Sequence, residues 1–68
     1  MMDSNLEKEL KLEIERNKEI LKQYESIPQG IFAATLIKHS IKFAQNALGE
    51  GNLVHIIQSL KDLRENKD

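Results

Sequence analysis

Leu10, Ile14, Leu21 and Tyr24 follow one another at steps of four, seven and three through an otherwise charged stretch, and Asn17 holds the position that completes the run. Steps of four and three place side chains on one narrow stripe of an α-helix, the pattern with which one helix seats against another. Ser4 followed by Glu7 matches a capping box, in which hydroxyl and carboxylate satisfy the free backbone N–H groups at a helix start. The first helix is therefore expected over residues 4–25, a stretch without glycine or proline and built mostly of strong helix formers. Asn17 has two readings. It is either buried in a seam between helices, where one Asn fixes register at some cost in stability, or it lies at the seam's edge and meets water.

Ser26 with Gln29 three residues on is a second capping-box match, and Pro28 falls in the first turn, where its missing N–H is not needed. The second helix is expected over 27–48, stopped by Gly49 in a left-handed conformation. Ala34, Ile37, Ile41, Ala44 and Leu48 form one stripe on it, and Ala33, Leu36, Ser40, Phe43 and Ala47 form the adjacent one. A face that wide predicts a central helix packed on at least two sides. Gly49 to Asn52 reads as the next corner, with Asn52 as N-cap of a third helix over 53–64. That helix presents Leu53, Ile56, Ile57, Leu60 and Leu63 on one side, and residues 65–68 read as a frayed tail.

The chain thus reads as all-α, one small domain over 1–68 with three helices in a hairpin or bundle, and no strand pattern or internal repeat. Helix 1 spans about 30 Å and helix 3 only about half of that, so helix 3 cannot cover everything helix 1 leaves open. A second copy would. The expectation is a homo-oligomer, a dimer or higher and most simply two-fold, with helix 1 as the pairing helix. Its interface is assigned to Leu10, Ile14, Asn17, Leu21 and Tyr24 with Gly30, Ala33, Ala34, Ile37 and Ile41. The competing expectation is a monomeric bundle, for which 68 residues offer little core.

Composition narrows the function classes. With no cysteine there is neither a disulfide nor a thiolate nucleophile or metal ligand, which fits a cytoplasmic setting. The first residues lack the basic flank and apolar run of a signal peptide, and no apolar stretch nears the roughly 20 residues a membrane span needs, so neither secretion nor a membrane partner is expected. Ten basic and eleven acidic side chains leave a net charge of −1, and aromatics are few, so nucleic acid is not an expected partner. Charge is uneven, however. Residues 1–26 carry seven acids against five bases, whereas residues 27–52 carry Lys38 and Lys42 against Glu50 alone.

His55, Ser59 and Asp62 have the residue types of a hydrolase triad, but on one helix they project outward with no oxyanion hole beside them, and they read as a solvated face. His39 and His55 are the only imidazoles, and neither lies in a zinc motif such as HExxH, although Glu50 and Asp62 stand near His55 in sequence. Acids alternate with bases along helix 1, as on a solubilising face. No phosphate-binding loop occurs. No enzyme, metal or cofactor is expected. Gly30 is different, because a glycine in the first turn of a helix costs about 1 kcal/mol relative to alanine. Either another backbone packs tightly against Gly30, Ala33 and Ala34, or the first-turn N–H groups face a ligand. The second possibility groups Gln29, Gly30, Phe32, Thr35, Lys38, His39 and Lys42 as a site for a small anion. Lys42 stands about 20 Å along the helix from its start, so such a site would need a pair of antiparallel copies of helix 2.

The stretch Ile27-Pro28-x-Gly30-x-Phe32-x-Ala34, leading a helix that ends in a Gly-x-Gly-Asn corner, looks like small uncharacterised helical proteins of tailed phages and prophages. The likeness covers residues 27–63 and implies an accessory role such as binding a host factor or a defence component. Those proteins have no agreed activity, so no functional residues carry over. Residues 46–57 also resemble the corner between helices of tetratricopeptide-type repeats, but one copy cannot build a solenoid. The functional expectation is a non-enzymatic, oligomeric helical protein that binds a protein partner, with sequestration of a small anionic ligand such as a signalling nucleotide as the alternative.

Overall fold

A computed structural model describes the backbone of residues 2–67 and the side chains of residues 5–67. Three helices form, α1 (Met2–Glu25), α2 (Ile31–Glu50) and α3 (Leu53–Arg64), with a 3-10 turn at Pro28–Gly30 ahead of α2. No strand occurs among the described residues. The all-α, three-helix expectation holds; the local signals that set its corners are only partly the expected ones.

Helical backbone begins at Met2, ahead of Ser4, so the expected capping box does not mark the start of α1. The side chain of Ser4 lies outside the described residues. Ser26 does not cap forward either: its Oγ donates back to the Gln23 carbonyl at 2.7 Å and ties off the end of α1. Ile27 is extended, at φ −116° and ψ 123°, as a residue before proline prefers. Pro28 then opens the 3-10 turn, and Gly30 N–H closes it on the Ile27 carbonyl at 2.8 Å. No side chain caps either the turn or α2.

Gly49 is not the stop. It stays helical, and Gly51 takes the left-handed conformation at φ 67°. The reason is the pair of bonds that closes the helix: Gly51 N–H donates to Leu48 O and Asn52 N–H to Ala47 O, each at 3.2 Å, a Schellman arrangement. Asn52 then begins α3 directly, its Oδ1 accepting from His55 N–H at 3.1 Å as the sequence suggested.

The two tight corners make the chain run up, down and up, so α1 and α3 are parallel and each antiparallel to α2. All three helices share one core of Leu10, Ile14, Ile20, Ile37, Ile41, Ala44, Ala47, Ile56, Leu60 and Leu63, with Leu6, Leu21, Tyr24 and Leu48 packed at its margin. Each buried Leu or Ile contributes about 1.5–3 kcal/mol of transfer free energy. Helix α2 packs on both others, as expected, but so do α1 and α3. On its second stripe only Ala47 is buried, Ala33 and Ser40 are half-buried, and Leu36 and Phe43 are exposed.

Asn17 is fully buried, which removes the reading at a wet edge, and its partners belong to its own chain. Its Nδ2 donates to Glu13 O at 2.9 Å and to Leu63 O at 3.2 Å, while its Oδ1 accepts from Asn66 Nδ2 at 2.8 Å. Arg16 Nη2 donates to the same Leu63 carbonyl at 2.8 Å. Two side chains of α1 thus converge on the Leu63 carbonyl at the end of α3, adding to the main-chain bond it receives from the chain beyond. Within the expected frayed tail, residues 65 and 66 are held. Glu65 and Asn66 continue the turn with N–H bonds to Asp62 O and Leu63 O, and Asn66 is anchored on Asn17. Arg64 reaches Glu9 at 2.6 Å and fixes α3 alongside the first half of α1.

Candidate functional site

The geometry that matters follows from unequal helix lengths. With 24 residues α1 is about 36 Å long, and α3 with 12 is about 18 Å. Contacts to Glu9, Arg16 and Asn17 place α3 against the first two-thirds of α1. Beyond Asn17, about 12 Å of the α1–α2 hairpin projects past the end of α3. The whole molecule measures 42 × 16 × 16 Å.

That projecting end carries a group of exposed apolar side chains. Phe32 is 78% exposed, Ile31 64% and Leu36 57%, and Ile27 at the corner is also exposed. Below Leu36 lies a notch of about 340 Å³ walled by Tyr24, Ala33 and Ile37 of the hairpin and by Glu65, Asn66 and Lys67 after α3. Leu36 also lines the notch, and Phe32, one helical turn before Leu36, stands outside it.

Two other clefts flank α3. One of about 600 Å³ lies between α1 and α3, with Leu6, Ile57 and Leu60 on its floor and Glu9, Lys61, Arg64, Glu65 and Lys67 around it. Val54 and Ile57, both exposed, continue this apolar strip toward the start of α3. The other, of about 380 Å³, is bounded by Phe43, Gln58, Lys61 and Asp62.

The interface expected from the sequence is occupied by the chain's own helices. Leu10, Ile14, Asn17, Gly30, Ala34, Ile37 and Ile41 are buried within the single chain, and Leu21, Tyr24 and Ala33 are half-buried at its margin. The cause is the Ser26–Gly30 corner, which folds α2 back onto the very stripe of α1 that was assigned to another copy. Ile20, absent from the expected stripe, is 1% exposed. The apolar surfaces left over are the strip beside α3 with Val54 and Ile57 and the tip, the latter signalled in the sequence only through the short length of helix 3.

The candidate anion site is not assembled. Gly30 is buried, and a Cβ on it would run into the Tyr24 carbonyl oxygen and come within 3.1 Å of Tyr24 Cα. The backbone that approaches Gly30 is therefore the last turn of α1. Gln29, Thr35, His39 and Lys42 are exposed, but Thr35 Oγ1 donates to Ile31 O at 3.0 Å, and Lys38 pairs with Glu25 at 3.4 Å. None of the three clefts is lined by Lys38, His39 or Lys42.

Ser59 departs from the expected solvated face. It is buried, with no hydrogen-bond partner for its hydroxyl, while His55 is half-buried and Asp62 exposed. His55 Nδ1 lies 3.8 Å from Glu50 Oε1, and its ring centroid lies 5.2 Å from that of Phe43. No group of three or more His, Cys, Asp or Glu side chains suited to a metal ion occurs among the described residues. None of the helices, so far as described, is long and apolar enough to cross a membrane. Compared with protein-family profiles, curated proteins and solved structures, the chain has no match.

Proposed function

We propose that this chain is a non-enzymatic binding protein that assembles with itself and acts on a protein partner through the exposed end of its helical hairpin. The observation that carries the reading is the gathering of Ile27, Ile31, Phe32 and Leu36 at that end, beyond the reach of α3. Scattered surface leucines need no explanation, but a contiguous group of exposed apolar side chains with an aromatic among them marks an interaction surface. A phage accessory or counter-defence role, in a cytoplasmic setting, rests on the sequence resemblance and on the absence of cysteine. Sequestration of a small anion has less support, because Gly30 faces Tyr24 and Lys38 is engaged by Glu25.

The test compares two baits in one host extract, the natural chain and Phe32→Asp/Leu36→Asp, both checked for unchanged helicity. A protein retained by the natural chain alone, whose binding is then reproduced with the two purified components, is the expected result. Identical captures by both baits would refute a role for the tip.

A further inference from the structure

We draw no further inference here: the strongest candidate, the cleft of about 600 Å³ between α1 and α3 with Leu6, Ile57 and Leu60 on its floor, is an apolar groove rimmed by both signs of charge, and nothing in the structure shows what covers it.

Discussion

Replacing Gly30 with alanine puts one methyl group where the 3-10 turn ahead of α2 lies against the last turn of α1. The backbone itself does not object: at φ −90° and ψ −1° the position is open to any L-residue. Alanine there even removes unfolded-state freedom, a gain of about 0.4–1 kcal/mol. Against this, the new Cβ would meet the Tyr24 carbonyl oxygen and lie 3.1 Å from both Tyr24 C and Cα, so the atoms that must yield are main-chain atoms at a tight corner. Overpacking of this kind costs about 1–3 kcal/mol, and main chain places it toward the upper part of that range. The net expectation is a loss of about 1–2 kcal/mol, which in a domain this small lowers the melting temperature by about 4–16 °C. Gly49→Ala supplies the contrast, since it sits in helix with nothing within 4 Å of its Cβ, and should gain about 0.5–1 kcal/mol. Urea titrations followed at 222 nm at fixed protein concentration measure both. If Gly30→Ala proves as stable as the natural chain, the corner yields freely and close approach does not explain the glycine.

Asn17→Ala should cost about 1–3 kcal/mol, because it strips the Leu63 carbonyl of one of three donors and the Asn66 side chain of its acceptor. Since Arg16 donates to the same carbonyl, a double-mutant cycle with Arg16→Ala should be non-additive, and strict additivity would show the two bonds to be independent. Ser59→Ala should be neutral or stabilising by up to about 1 kcal/mol, because it removes a buried hydroxyl without a partner. A clear loss of stability in the same urea titration would mean the hydroxyl has a bonding role.

The helices were legible in the sequence because periodicity is a property of the chain alone, and Asn52 was legible because an N-cap bonds within its own first turn. The failures share a different cause. Ser26 and Gln29 satisfy the pattern of a capping box, yet nothing in that pattern says that the Ser26 hydroxyl will turn back to Gln23 O. Gly49 and Gly51 are equal candidates by type, and only the two bonds to Ala47 O and Leu48 O select the second. Ser59 was misplaced by its polarity, although its spacing from Ile56, Leu60 and Leu63 puts it on the buried face. The stripe assigned to an oligomer seam is taken up within the chain for a topological reason. A stripe that suits another helix does not say whose helix it is, and a five-residue corner makes the chain's own α2 the nearest candidate. The tip was reachable in principle by comparing helix lengths, but locating it required the bonds from Arg16 and Asn17 that fix where α3 ends.

Those two donors also decide what α3 is when it is not docked. A helix of 12 residues is too short to persist in water unaided, since nucleation is costly and propagation slight at that length. Its far end is held by side chains of α1, so detachment removes two of the Leu63 carbonyl's three donors together with the apolar face. Separation and melting are therefore one event for this segment. The α1–α2 hairpin has no unbound third helix to reclaim, only a disordered strand of chain that must refold against it each time. The amides along α3 should accordingly exchange with solvent as one cooperative block, at a free energy set mainly by Ile56, Leu60 and Leu63 with Asn17 and Arg16 adding to it.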